Sequence, residues 1–313
     1  MEFELIDQLK FSAPVAPGIL LGIGDDCAIL AEDASNERLV TTDMLLDGVH
    51  FVYDYDKKNA QSLDLIARKS IAVSVSDIAA MGGEPQAAFL SLAIPRAWSA
   101  EQAKELFDSF SKAAAKLNVS LAGGDTTSWE GLLAINVTLL GTVPKSEAIR
   151  RSGAQAGDVI CVSGPLGGSL AGKHLTFTPR VQQACWLRKH CKLHAMIDIS
   201  DGLLADLGHI LQESGVGAEI FSQQIPITEA AKCIEDSQSP LEHAITDGED
   251  FELLWTMPEA EYQKLIQIQE DFIEVHRIGT ITQQTGCFLI DPQGKKERRG
   301  NEGYVHQFAN HEN

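Results

Sequence analysis

The chain has 313 residues, with 44 Asp and Glu against 25 Lys and Arg, and a net charge of −19. Such acidity repels phosphate backbones and anionic headgroups, so nucleic acid and membrane surfaces are excluded as first readings of its partners. With 44% hydrophobic residues the chain can still build a packed core, and its length suits one large domain or two of about 150 residues.

The opening MEFELIDQLK is acidic and amphipathic and lacks the basic start and apolar run of a secretion signal. Leu20–Leu30 and Leu39–Leu46 are apolar runs broken by acids and read as strands ending in loops. Asn59–Met81 has helical spacing, with Leu63, Ile66, Ala67, Ile71 and Val75 on one stripe, and Gly82-Gly83 ends it. Ala87–Ile94 reads as a strand closed by Pro95. Ser99 with Gln102 forms a capping-box pattern that opens a helix to about Leu117. Val119–Ala122 and Leu132–Val143 read as further strands.

Lys145–Gly157 is polar and contains glycine, which places a domain boundary there and gives domains 1–145 and 146–313. The second half continues with a strand at Asp158–Ser163, a glycine-rich turn at Gly164–Gly168 and a helix at Val181–Leu193. A short strand at Ala195–Ile199, a helix at Gly202–Glu213, and strands near Phe251–Met257, Glu274–Ile281 and Cys287–Asp291 follow. Two α/β domains of similar size are expected. No run of about 18 apolar residues is long enough to span a bilayer. Six cysteines at 27, 161, 185, 191, 233 and 287 form no CxxC pair, which suits buried thiols in a cytoplasmic protein rather than zinc or disulfides.

The acids fall at the ends of apolar segments, beside glycine or a hydroxyl. They are Gly22-Ile23-Gly24-Asp25-Asp26, Thr41-Thr42-Asp43, Ser74-Val75-Ser76-Asp77, Gly123-Gly124-Asp125-Thr126-Thr127, Asp198-Ile199-Ser200-Asp201-Gly202 and Gly248-Glu249-Asp250. A single Gly-Asp is usually a turn residue, and Asp201 before Gly202 suits a helix N-cap as well as a metal ligand. Asp77 is sharper, because its helical neighbours Val73, Ile78 and Met81 are apolar and a buried carboxylate costs several kcal/mol unless paired or metal-bound. Too few bases lie nearby to pair six such sites, so a shared cluster of divalent cations is expected. All-oxygen ligands select Mg²⁺ or Mn²⁺ over zinc.

Gly123-Gly124 and Gly164–Gly168 allow close backbone approach to phosphate oxygens, yet neither matches GxxxxGK[ST] or GxGxxG. Arg151 can reach a phosphate or sit on the surface, and His50 can contact a ligand or pack. No nucleophile–base constellation is present: GxSxG is absent and no cysteine has a basic setting.

In chain order, GIGDDCAIL (22–30), TTDMLLDGVHF (41–51), SVSDIAAMGGEP (74–85), GGDTT (123–127), RSGAQAGD (151–158), IDISDGLLADLGHI (197–210), GEDFEL (248–253) and GYVHQF (303–308) resemble the thiamine-monophosphate kinases. Single motifs are shared with the wider superfamily of aminoimidazole ribonucleotide synthetase, selenophosphate synthetase and the hydrogenase-maturation dehydratase; the ordered set is specific. The resemblance implies a two-domain aminoimidazole ribonucleotide synthetase-like α/β (α+β) fold. It also implies a homodimer whose N-terminal domains pair into a β-barrel.

It further implies ATP-dependent phosphorylation of thiamine monophosphate to thiamine diphosphate, with several Mg²⁺ ions. By position, Asp26, Thr41, Thr42, Asp43, Asp77, Asp125, Asp198 and Asp201 fall on the family's Mg²⁺ ligands. Gly124, Asp125, Arg151 and Ser200 fall on its ATP contacts, and His50, Glu249 and Tyr304 on its substrate contacts. Two departures bear on the second domain. The segment from Gly164 to Pro179 lacks a helix usual before HL-x-x-x-P-R, and Asp247 stands where a small residue is common.

The acceptor phosphate of such a reaction is already ionised, so it needs charge neutralisation and no base, in keeping with the missing nucleophile–base pair. A purine ring-closing synthetase of the same superfamily and a non-catalytic nucleotide or cation sensor are the other readings. Setting aside twelve acids in or beside the motifs (Asp25, Asp26, Asp43, Asp47, Asp77, Asp125, Asp198, Asp201, Asp206, Asp247, Glu249, Asp250) leaves 32 acids against 25 bases, an ordinary soluble surface.

Overall fold

The computed structural model describes residues 17–53, 61–300 and 302–304. The opening decapeptide, the first two residues of the expected helix at Asn59 and residues 305–308 of the last motif lie outside the described residues.

The first half builds a six-stranded sheet from β1 (Ile19–Leu21), β2 (Ala28–Ala31), β3 (Asn36–Leu46), β4 (Glu84–Pro95), β5 (Ser120–Trp129) and β6 (Ala134–Pro144), in the order β1-β2-β3-β6-β4-β5. The expected strand over Leu20–Leu30 is two strands, because the GIGDDC segment forms the turn between them. Only β4 and β5 run parallel; the other neighbours are antiparallel. Two helices cover one face: α1 (Leu63–Ala80) and α2 (Ala100–Lys116).

The expected stripe Leu63, Ile66, Ala67, Ile71 and Val75 is buried, and Ser62 caps α1 by accepting from the Leu65 N–H. Gly82 follows at φ +72°, so α1 ends where the glycine pair directs. Both arms of the Ser99–Gln102 capping box are present at α2. Among the described residues no helix covers the opposite face of the sheet. β5 is exposed along its whole length, and Met44 and Phe89 stand exposed.

The second half builds a seven-stranded sheet from β7 (Val159–Val162), β8 (Ala195–Asp198), β9 (Gly217–Phe221), β10 (Leu253–Met257), β11 (His276–Thr282), β12 (Gly286–Ile290) and β13 (Lys296–Arg299). Its order is β13-β12-β9-β11-β7-β10-β8. β7, β8 and β10 are buried at every residue, as expected for a sheet covered on both faces. The helices are α3 (Lys173–Thr176), α4 (Val181–His190), α5 (Leu203–Ser214), α6 (Glu229–Lys232), α7 (Pro240–Thr246) and α8 (Glu259–Ile268). The segment before the HL-x-x-x-P-R residues holds a 3₁₀ turn at Ser169–Ala171, and the motif's His174 and Leu175 lie in the single turn α3.

The two halves share a core. Ala79 of α1 and Ile149 pack in one cluster with Met196, Leu253 and Trp255. Among the described residues no helix is long and apolar enough to cross a membrane. Cys27, Cys161, Cys191 and Cys287 are buried, Cys185 is half-buried and Cys233 is exposed.

Candidate active site

Four segments meet where β3, α1 and β8 converge. The turn between β1 and β2 supplies Asp25 and Asp26. β3 directs Thr41 and Asp43 to the same side, since alternate strand residues share a face. On α1, Ser74 and Asp77 lie three residues apart, on one helix face. β8 ends at Asp198.

Carboxylate oxygens of Asp26, Asp77 and Asp198 lie within 4.8 Å of one another. Three hydroxyls each donate to one acid at 2.5 Å: Thr41 to Asp77, Ser74 to Asp43 and Ser76 to Asp198. The serines of the SVSD motif therefore belong to the site, although their pattern alone marks only helix interior.

Among the described residues one base answers this cluster. Arg151 donates from Nη2 to Asp26 at 2.8 Å, and its backbone N–H points at the Asp25 carboxylate at 3.2 Å. Burial, and then the charge of Asp26, push the pKa of Asp25 and of Asp198 up to about 7. Asp43 and Asp77 keep some surface towards the cleft, yet desolvation raises both. Asp77 is raised well above the carboxylate range, with Asp43, Asp198 and Asp26 adding repulsion. Burial opposes the charge of Arg151, but Asp26 and Asp25 outweigh it and hold the guanidinium charged.

One arginine leaves the cluster short of positive charge. Among the described residues, the buried Asp26 Oδ2 has no hydrogen-bond partner. An all-oxygen set with an orphaned carboxylate oxygen fits a hard divalent cation such as Mg²⁺.

A cleft of about 500 Å³ opens beside the cluster; Thr42, Asp43, His50, Asp201, Glu249 and Tyr304 are on its walls, as is Ser200. His50 accepts from the Leu46 N–H at Nδ1, 3.0 Å, which puts the proton of the neutral ring on Nε2. Tyr304 is anchored by its N–H to the Asp201 carbonyl at 3.0 Å. The GEDF segment has left-handed backbone at Gly248 (φ +73°), Glu249 (φ +58°) and Phe251 (φ +50°). Two of these are not glycine, a costly conformation that surrounding contacts must hold.

Those contacts are present. The Glu249 N–H donates to the Ser200 carbonyl at 2.7 Å, and Phe251 stacks on Phe177 with centroids 4.1 Å apart. Glu252 receives Arg180 through two bonds of 2.8 Å, Lys173 at 2.8 Å and Ser163 at 2.6 Å. Burial works against the Glu252 charge, but these donors hold its pKa below the usual range.

Three expectations need correction or completion. Asp201 is not the N-cap of α5; Gly202 occupies that position, and Asp206 reaches back to accept from the N–H groups of Asp201 and Gly202 at 3.1 Å. Asp201 also lies within 4.8 Å of Asp206 and His209, measured between potential ligand atoms. Gly124 is needed for packing: a Cβ there would lie 1.8 Å from the Leu90 carbonyl oxygen on β4, whatever a nucleotide requires.

Asp125 is not near the cluster within one chain. Asp43 pairs with Val137, Val137 with Leu90, and Leu90 with Gly124. Three strand spacings of about 4.8 Å thus put about 14 Å between Asp43 and the 124–125 edge. Asp125 shares its row with Ser91, Asn136 and Met44, on the open face of the sheet. Thr42 turns to that face too, with its hydroxyl 3.1 Å from that of Thr138. A slightly larger hollow of about 580 Å³ between α5 and β12–β13 is lined by Arg298, Arg299 and Cys287, with no carboxylate.

Residues 24–143 match the AIR synthase related protein, N-terminal domain, and residues 172–291 match the C-terminal domain of the same family. A thiamine-monophosphate kinase of Rhodopirellula baltica is 37% identical over 315 residues, covering 98% of this chain and 97% of the relative. The chain belongs to the thiamine-monophosphate kinase family. The family member of Escherichia coli K12 is 36% identical over 263 residues, covering 76% of this chain and 77% of its own. The solved structure of AaThiL complexed with AMPPCP and TMP aligns with a TM-score of 0.81 at 31% identity, over 98% of this chain and 97% of that one. The expected two-domain fold of the family is thus the fold observed. Lys69 and Ser74 are in the site although the motif reading assigned them no role; a lysine placed inside an apolar helical stripe was the available signal for the first.

Proposed function

We propose that this protein transfers the γ-phosphoryl group of ATP to the phosphate of thiamine monophosphate, giving thiamine diphosphate and ADP. The observation that carries the reading is the carboxylate cluster, with one arginine, at the edge of a cleft in a chain of this family. AaThiL, which holds AMPPCP and TMP, supports ATP and thiamine monophosphate as the two substrates.

We assign Mg²⁺ to Asp26, Thr41, Thr42, Asp43, Asp77, Asp125, Asp198 and Asp201, where the bound cations would offset the charge of two approaching phosphates. Arg151 and Ser200, with the Gly124–Asp125 edge, are assigned to ATP. His50, Glu249 and Tyr304 are assigned to the thiamine end. The acceptor phosphate is its own nucleophile, so the residues have no proton to remove and act by positioning.

The same assignment requires a second copy. Asp125 stands on a sheet face left uncovered by the described residues, about 14 Å from Asp43, so a homodimer that apposes two such faces would bring the partner's edge to Thr42, which turns to that face. The boundary between the two domains is proposed at residues 145 and 146, after β6. We propose a cytoplasmic location, which ATP use and the free thiols support.

Incubation with ATP, thiamine monophosphate and Mg²⁺ is expected to give equal amounts of ADP and thiamine diphosphate. ATP binding without either product would overturn the assignment.

The cluster also sets a pH dependence. In the metal-free fold Asp25 and Asp198 titrate near 7, above the ordinary value of 3.8. The folded chain then binds more protons than the unfolded one between these limits, so metal-free stability falls as pH rises from about 4 to about 7. Mg²⁺ competes with those protons. Thermal unfolding should therefore show a small Mg²⁺-induced rise in Tm near pH 5.5 and a larger one near pH 7.5. An equal rise at both would contradict it.

A further inference from the structure

Lys69 lies in the middle of α1 and is 1% exposed. An ammonium has three N–H donors and no acceptor. Three acceptor atoms surround this one: the His50 carbonyl at 2.7 Å and His174 Nδ1 at 3.1 Å in hydrogen bonds, and Glu249 Oε2 at 2.6 Å in an ion pair without hydrogen-bond alignment. His174 must be neutral to accept, and burial, followed by the charge of Lys69, pushes its pKa down to about 4.

The acceptors come from three segments: the loop after β3, the turn α3 and the left-handed residues before β10. The first belongs to the N-terminal half and the others to the C-terminal half. Buried and held by these three groups, Lys69 serves the site through the groups it holds.

Glu249 is the group that matters most. Its left-handed backbone aims the side chain into the cleft, where it is 22% exposed. The thiazolium of thiamine monophosphate is a permanent cation, and an ionised carboxylate on that wall complements it. Burial raises the pKa of Glu249, and Lys69 is the base that opposes the rise.

We propose that Lys69 is a positioning residue for the phosphoryl acceptor: anchored by the His50 carbonyl and His174, it pins the Glu249 carboxylate on the wall that receives the cationic organic end. The inference rests on the phosphoryl-transfer reading above. It goes beyond it by naming the residue that makes acceptor binding depend on the junction of the two halves.

The test is a cycle of Lys69→Met, Glu249→Gln and the double variant, with KM measured separately for thiamine monophosphate and ATP. Lys69→Met is expected to raise KM for thiamine monophosphate about 10- to 100-fold and to leave KM for ATP within about twofold. The double variant should be no weaker for the acceptor than Glu249→Gln alone, because Lys69 acts through that carboxylate. An unchanged acceptor KM, a parallel rise for ATP, or effects that multiply in the double variant would each overturn the proposal.

Should Lys69→Met fail to fold with an unpaired buried acid, the comparison of Glu249→Gln with the double variant decides alone: equal acceptor KM supports the proposal and a further rise refutes it. An unsubstituted protein that makes no thiamine diphosphate fails the functional reading in the parent, before any substitution is compared.

Discussion

Replacing Asp77 by asparagine is expected to lower kcat by about 10²- to 10³-fold while the protein stays folded. The two side chains have nearly the same shape, and Thr41 can still donate to the side-chain oxygen. What is lost is a negative charge placed against Asp43, Asp198 and Asp26, the three acids that raise its pKa after burial itself.

Two further readouts separate a lost cation site from a damaged fold. Without divalent cation the variant should unfold at a temperature equal to or above that of the parent, because one repelling carboxylate has gone. The rise in Tm on adding Mg²⁺ should shrink in the variant. Turnover equal to the parent's would remove Asp77 from the cation site, and a large fall in metal-free Tm would make its role one of packing.

Mixing two inactive proteins should restore activity. Asp77→Asn and Asp125→Asn are each expected to be nearly inactive in the isolated state. If the site joins Asp77 of one copy to Asp125 of the other, a mixed dimer has one doubly damaged site and one intact site. Subunit exchange at equal amounts should then recover about a quarter of the parent's activity, since half the dimers are mixed and half their sites are whole. No recovery after proven exchange would show that each chain completes its own site, and the open sheet face would then need another explanation. The geometric basis is the row Met44, Asn136, Ser91, Asp125, which places the acid across the sheet from β3 and on its uncovered side.

Much of this was readable from the chain because local and global signals agree. The stripe of α1, the box at Ser99 and the glycines after Met81 all concern interactions within a few residues, and each element formed where the pattern placed it. The elements missed were those whose pattern is weak. α6 and α7 have four and seven residues, too few for a helical period to show. β13 reads KERR, with no apolar residue, because it is an edge strand whose charges discourage pairing with other chains. α8 buries only Leu265, so its stripe is a single residue.

In the site, the acidic motifs were conspicuous, and Asp26, Asp43, Asp77 and Asp198 do converge, whereas Asp125 does not. Lys69 and Ser74 were hidden because helical burial looks the same for a packing residue and for one that serves a carboxylate. The separation of Asp125 from Asp43 depends on strand order, and strand order is set by contacts far apart in the chain.

α1 packs on β3, β6 and α2 in its own half and on α3, α4 and β8 in the other. This has a consequence for the order in which the protein is made. Synthesis runs from the N-terminus, so α1 leaves the ribosome well before residues 173–255 exist. Until they arrive, Ser76 lacks its Asp198 partner and Ala79 lacks Met196 and Trp255. The nascent first half therefore carries an uncovered apolar strip with an acid at its end, a surface that invites chaperone binding until the second half is complete.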